Sequence, residues 1–281
     1  MRWAAVLILP LWLAQVPVAS AQEDLLPVAT TGSDATTGGG FDFGNSSEPF
    51  ELSADRGIEW RSNEKTYTAR GNALAKQGSA SVAADTLVFH TGGDDGASFD
   101  RMIATGNVRV ISGKSTGYGD KGEYESTQKV LILTGANLRL ESDGDTLTAR
   151  DRIEYWTDQR AVIAYGNAVL VQDDNRITGD KAVLYFADNA AGEEELSQIE
   201  ATGKVKVING SQTIFGNSFA HDPDTDIAIM TGNVVIIDGN NEYRGARAEI
   251  DNKRKISRLL GGDGARVHTF IKPKSSGGTG Q

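Results

Sequence analysis

Three histidines, His90, His221 and His268, are the side chains best suited to metal binding or acid–base chemistry near neutral pH. They are far apart and have none of the close spacings by which imidazoles share an ion. Gly113-Lys114-Ser115 has the ending of a phosphate loop, in which backbone N–H groups and a lysine hold phosphate oxygens. That motif needs glycine where Val108 stands, and a helix after it, and the sequence offers neither. Asp222-Pro223-Asp224-Thr225-Asp226 spaces carboxylates like a calcium loop, but Ile227 and Asn233 occupy the places of its glycine and its last glutamate. A turn is the better reading there. No Gly-x-Ser-x-Gly elbow presents a nucleophile. The carboxylates are many, but nearly all fall in turns, where they keep a chain soluble. These residues point away from catalysis and to no cofactor and no metal.

What recurs instead is a phrase. Ala69-Arg70-Gly71-Asn72-Ala73 returns as Ala104-Thr105-Gly106-Asn107-Val108, Leu133-Thr134-Gly135-Ala136-Asn137 and Ala164-Tyr165-Gly166-Asn167-Ala168. It returns again as Ala201-Thr202-Gly203-Lys204-Val205, Met230-Thr231-Gly232-Asn233-Val234 and a degenerate Gly264-Ala265-Arg266-Val267. The glycines lie 29 to 37 residues apart, a period that signals stacked repeats. A second phrase interleaves with it, a small residue and a polar one followed by alternating apolar residues. Examples are Ala84-Asp85 with Leu87 and Phe89, Gly119-Asp120 with Tyr124, and Gly179-Asp180 with Val183 and Tyr185. Turn-forming clusters such as Gly92-Gly93-Asp94-Asp95-Gly96, Gly113-Lys114, Asp143-Gly144, Asp173-Asp174-Asn175 and Asp238-Gly239-Asn240 separate the two phrases.

Between turns the pattern has period two, as in Val108-Arg109-Val110 and Val205-Lys206-Val207, which predicts strands with one buried face. Each leg between turns is longer than an ordinary strand and carries a small residue near its middle, where strands bulge or bend. Each leg is therefore expected to turn a corner and serve two sheets. The expected fold is all-β: an elongated, repetitive antiparallel jelly roll, its two sheets stacked in a V or C. The rival is a right-handed parallel β-helix.

The chain has 281 residues, a formal net charge of −10 and no cysteine. The acidic balance argues against nucleic acid and against general adhesion to anionic membranes. Residues 1–21 read as a signal peptide: Arg2, an apolar run from Ala4 to Val18, and Ala19-Ser20-Ala21 before a cut at Gln22. The alternative is an uncleaved anchor. Residues 22–48, rich in Thr, Gly and Ser, are expected to be a disordered leader, residues 49–273 the repeat domain, and 274–281 a flexible tail.

Pro49-Phe50-Glu51-Leu52-Ser53-Ala54-Asp55 at the entrance, followed by the Ala-x-Gly-Asn and small-Asp phrases, resembles the OstA/LptA family over about residues 49–272. The resemblance implies a periplasmic protein of lipopolysaccharide export in Gram-negative bacteria. It implies a β-jelly-roll whose interior shields the acyl chains of lipid A. It also implies units joined head to tail as a bridge between the membranes, with LptC-like and LptD-like partners. This repeat region is longer than a typical member's, so an LptD-amino-terminal-like or LptC-like paralogue stays open. The candidate groove lining from the first phrase is Val108, Val110, Leu138, Leu140, Leu170, Val205, Val207, Val234 and Ile236. The second phrase adds Phe89, Tyr124, Tyr155, Tyr185 and Phe219. The same residues could simply close on one another as a dry core, and a non-lipid structural or adhesive protein is the competing reading. A polysaccharide-active enzyme would need carboxylates clustered on adjacent coils, which the sequence does not provide.

Overall fold

The computed structural model describes residues 48–92, 98–192, 194–262 and 266–271, all in the compact unit Thr37–Gln281. The expected signal peptide, the leader up to residue 47 and the tail 274–281 lie outside the described residues. So do Gly93 to Gly96 of one expected turn and Gly264-Ala265 of the last repeat copy.

Alternation of apolar and polar residues gives strands throughout: β1 (Phe50–Ser53), β2 (Ile58–Arg61), β3 (Thr66–Gln77), β4 (Ala80–Gly92), β5 (Ser98–Ser112) and β6 (Ser115–Glu125). There follow β7 (Val130–Thr134), β8 (Leu138–Ser142), β9 (Asp145–Ala149), β10 (Arg152–Trp156), β11 (Ala161–Gln172) and β12 (Asn175–Asp188). The last are β13 (Glu194–Asn209), β14 (Gln212–Asp222), β15 (Ile227–Asp238), β16 (Asn241–Asp251), β17 (Ile256–Leu260) and β18 (His268–Phe270). Successive legs pair antiparallel, which excludes the parallel β-helix. In four legs the strand is split in two, and both parts lie on one neighbour: β1 and β2 on β3, β7 and β8 on β6, β9 and β10 on β11, β17 and β18 on β16. The result is the repetitive antiparallel jelly roll expected from the sequence.

The corner is built by the Gly-Asn phrase. In β3, β5, β11 and β15, and at Gly203-Lys204 in β13, the register skips two residues, as between Arg70 and Ala73 or between Thr105 and Val108. Both skipped residues are left-handed: Gly106 has φ +78° and Asn107 +48°, Gly166 +81° and Asn167 +46°. Glycine takes that region freely and asparagine tolerates it, so the dipeptide bends the leg at little cost. The second phrase locks the bend. The Asp85 carboxylate accepts hydrogen bonds from the Asn107 amide at 3.0 and 3.2 Å and lies where a Cβ on Gly106 would be. Asp120 accepts from the Ala136 N–H at 2.7 Å beside Gly135, and Asp55 accepts from Asn72 at 2.7 Å. In Gly135-Ala136-Asn137 the phrase is one residue longer, and there the leg breaks into β7 and β8.

The two rims of the stack use different turns. One rim has two-residue hairpins with positive φ at Gly78, Gly113, Asp143, Asp173, Gly210 and Gly239, the turn that suits strand twist. The other has wider turns, several of which end in a left-handed residue: Lys65, Lys129, Arg160, Asp226 and Lys255. The segment Asp222–Asp226 is one of these, with the Asp222 carboxylate accepting from the N–H groups of Asp224 and Thr225. The sequence reading of a turn holds there.

A longer repeat underlies the short one. The split leg β9–β10 reproduces β1–β2: Asp55 and Arg56 donate to the carbonyls of Gly71 and Arg70, and Arg150 and Asp151 donate to those of Gly166 and Tyr165. Residues 50–92 match 145–187 without a gap, and 98–125 match 195–222.

Candidate functional site

Each leg sends alternate side chains inward from two walls that meet at the corners. Toward the amino-terminal end Ala69, Ala73, Val82, Leu87 and Ala104 are fully buried, and a pocket of about 380 Å³ lies at the edge among Glu51, Leu52, Ser53, Leu74 and Lys76. Further along, the walls part into three adjoining cavities. The first, about 50 Å³, lies among Val110, Leu131, Leu133, Leu140, Ile153, Tyr155 and Phe186. The second, about 480 Å³, lies among Leu140, Leu147, Leu170, Leu184, Phe186 and Leu196. The third, about 130 Å³, lies among Ile177, Val207, Ile214, Phe219, Ala228 and Ile250. Leu140, Phe186 and Glu194 line both the first and the second, and Gln172 and His221 line both the second and the third. Shared walls make them one slot. The middle part alone falls in the size range of small-molecule sites.

Of the predicted lining, Val108, Val110, Leu138, Leu170, Val205, Val207, Val234, Ile236, Phe89, Tyr124 and Phe219 are buried on the inner face, and Leu140 and Tyr155 are half-buried there. Tyr185 is a correction. Its neighbours Leu184 and Phe186 pack in the interior, so Tyr185 takes the opposite face. The cause is the corner. Inward positions resume three residues after the small residue of the second phrase, as Leu87 does after Ala84, Gly122 after Gly119 and Phe219 after Gly216. After Gly179 the inward set is therefore Ala182, Leu184 and Phe186, and the expected pair Val183 and Tyr185 is out of phase. Sequence reasoning also missed Leu131, Leu133, Leu147, Ile153 and Leu196, all in the lining. The three-residue rule does not reach Ile153, which stands four residues after Ala149 because the corner there holds two residues, Arg150 and Asp151.

The mouth of the slot is acidic. Asp143, Asp145, Glu194 and Glu195 line the middle cavity with Lys114 and His221. Burial pushes the Asp145 carboxyl above its ordinary range, against a hydrogen bond from the Gln172 amide at 2.5 Å and with help from Asp173 and Asp143. Burial also raises Glu194, partly offset by Arg160. His221 contacts Asp226 at 3.1 Å, and Asp226 is held below the ordinary range chiefly by the Asn252 amide, which donates at 2.8 Å. On the outer face several cations are paired. Arg139 lies beside Glu141 and over the Tyr118 ring, and Arg152 lies beside Glu154 and over Tyr165.

The sign of the Asp145 shift sets a prediction. An acid whose folded pKa is raised destabilises the fold above that pKa, where the unfolded chain ionises more easily, and has no effect below the unfolded value. Asp145→Asn is expected to raise the melting temperature at about pH 7.5 and to leave it unchanged at about pH 3. Thermal unfolding followed by circular dichroism at both pH values reads this; an equal gain at both would sink the burial argument.

A family model described as LptA/(LptD N-terminal domain) LPS transport protein matches residues 51–161 and again 151–256. No curated protein matches the chain in sequence. Among solved structures, the chain is similar to LptH, the LptA homologous periplasmic component of the conserved lipopolysaccharide transport device from Pseudomonas aeruginosa. The identity is 17%, covering 45% of this chain and 96% of that one, with a TM-score of 0.40.

Proposed function

The chain belongs to the LptA/LptD N-terminal domain family of lipopolysaccharide transport proteins, and from that premise we propose that it carries lipopolysaccharide across the periplasm with the acyl chains of lipid A in its slot. The observation that supports this most is the run of three adjoining cavities, apolar within, polar at a mouth that lies between the two rims, and walled by inward residues of both sheets. Each CH₂ kept out of water is worth about 0.8 kcal/mol, so one chain of about a dozen carbons faces on the order of 10 kcal/mol in unaided crossing. A continuous apolar wall removes most of that barrier at every step. The acidic rim bears on the headgroup: Asp143, Asp145, Glu194 and Glu195 repel phosphate, so lipid A phosphates stay outside the slot in solvent.

The ends of the stack suit assembly. Ile58 and Trp60 of β2 are on the inner face, opposite Ala69 and Tyr67, and are 47% and 63% exposed, with no leg covering them among the described residues. At the far end Phe270 and Ile271 are 62% and 65% exposed. Free edges with apolar residues pair with other strands, and carboxy-terminal to amino-terminal pairing does not close. This fits a head-to-tail bridge with LptC-like and LptD-like strands at its ends, in a chain exported by the signal peptide at residues 1–21.

Photocrosslinking tests the reading. A photoreactive residue replaces Leu140, Ile236, the outward Arg139, or Trp60, in cells making lipopolysaccharide. Adducts with lipopolysaccharide are expected at Leu140 and Ile236 and not at Arg139, and protein adducts at Trp60. A folded, exported protein giving no lipid adduct at either apolar site would return the slot to a closed core and favour a structural or adhesive role.

A further inference from the structure

The longer internal repeat sets two equivalent places side by side, and they are built differently. In the second copy Asp145, Leu184 and Leu196 line the 480 Å³ cavity. Their counterparts in the first copy are Phe50, Phe89 and Phe99. The pairings confirm the equivalence: Phe50 is opposite Gln77 as Asp145 reaches Gln172, and Phe99 is opposite Thr91 as Leu196 is opposite Phe186. The three phenylalanines touch across the slot. Phe50 comes from one wall, and Phe89 and Phe99 from the other, with ring centroids 4.4 Å apart for Phe50–Phe99, 5.0 Å for Phe50–Phe89 and 5.1 Å for Phe89–Phe99. Phe89 is 1% exposed and Phe50 and Phe99 are half-buried; Gln77 opposite Phe50 and Thr91 opposite Phe99 are buried, whereas Gln172 and Phe186 are only half-buried.

We propose that the two copies divide the work: the second copy holds the acyl-chain site, and the first fills the equivalent space with its own Phe50–Phe89–Phe99 plug. This rests on the lipid reading above and places the cargo within it. The chemistry runs the same way on both sides. Rings packed at van der Waals distance from both walls leave no room for an alkyl chain and gain its burial for themselves. In the second copy a carboxylate replaces the ring that bridges the walls. Asp145 cannot fill the space, its buried carboxyl is costly there, and smaller leucines stand opposite. The space is left for a ligand whose tail is aliphatic. The plug sits next to the free end at β1–β2, so cargo held in the second copy reaches that end only when the plug parts.

Exchanging the two sets tests this in the full mature chain, with 11-(dansylamino)undecanoic acid as the fluorescent probe. Asp145→Phe with Leu196→Phe is expected to weaken binding by about tenfold or more. Phe50→Asp with Phe99→Leu is expected to add a second probe per chain. Unchanged affinity in the filled protein, or unchanged capacity in a folded opened protein, would overturn the division. Should the opened protein fail to fold, the filled one decides alone. A wild-type chain that binds no probe, and gives no lipopolysaccharide adduct at Leu140, would overturn the lipid reading and the division with it. A wild-type chain that binds equally in both copies would overturn only the division.

Discussion

Gly106→Ala is expected to lower stability by about 3 kcal/mol, and its control Gly113→Ala by about half as much. Both glycines are left-handed, with φ +78° and +53°, so a methyl group strains the backbone at each by about 1–2 kcal/mol. Their surroundings differ. A Cβ at Gly113 meets nothing within 4 Å, whereas one at Gly106 comes within 2.2 Å of Asp85 Oδ2, 2.8 Å of its Cγ and 3.0 Å of its Cβ. A long side chain could swing aside, but aspartate is short and its Cβ moves only with the strand. The carboxylate must leave, and the two hydrogen bonds from the Asn107 amide go with it, a further loss of about 1 kcal/mol. In a domain of this size about 3 kcal/mol corresponds to a fall of roughly 6–12 °C in the melting temperature. Equal losses at the two sites would mean that the corner is held by backbone conformation alone and that Asp85 contributes nothing.

Phe186→Asp is expected to leave the protein folded and to weaken binding of the dansylated fatty acid by about 30-fold or more. Phe186 is half-buried and lines both the first and the second cavity. Losing its ring removes apolar contact worth about 2 kcal/mol, and a carboxylate in its place puts charge against the alkyl chain. Folding survives because the site lies at the mouth, among Asn189, Glu194 and Glu195, where water reaches the new group. Tyr185→Asp is the matched control. It changes the adjacent residue of the same strand, which looks the other way, and probe affinity should stay within about twofold. A larger loss from Tyr185→Asp than from Phe186→Asp would reverse the assignment of faces in this strand.

How far the sequence reveals these features depends on how local their causes are. The corner is local: Gly-Asn needs only its own left-handed φ values, so its recurrence reads directly as a recurring bend. The inward face of the first phrase is also local, and Val108, Val205 and Val234 are where alternation puts them. Phase across a corner is less plain, because Asp180 sits opposite two skipped residues of the next leg, and counting by twos from the wrong side led to Tyr185. Asp151 escaped notice for a related reason. The corner it closes, against Gly166, carries Arg150 where the first copy carries Asp55. The aromatic plug is not local at all. Phe50 and Phe99 meet only because two walls face each other, and strand pattern carries no information about the distance between walls. The same holds for the cavities: Leu147 and Leu196 look like any inward leucine until the facing residue turns out to be small or charged.

Antiparallel pairing throughout has a consequence for how such a chain can change its length. Each leg runs opposite to its neighbour, and the two rims carry different turns, tight hairpins on one and wider loops on the other. Losing or gaining a single leg would reverse the direction of the terminal edge and bring a tight turn to the rim of wide ones. Losing or gaining a hairpin preserves both. Length in this architecture is therefore counted in pairs, and an inheritable gain of reach comes as an even number of strands that leaves the docking polarity of the last one intact.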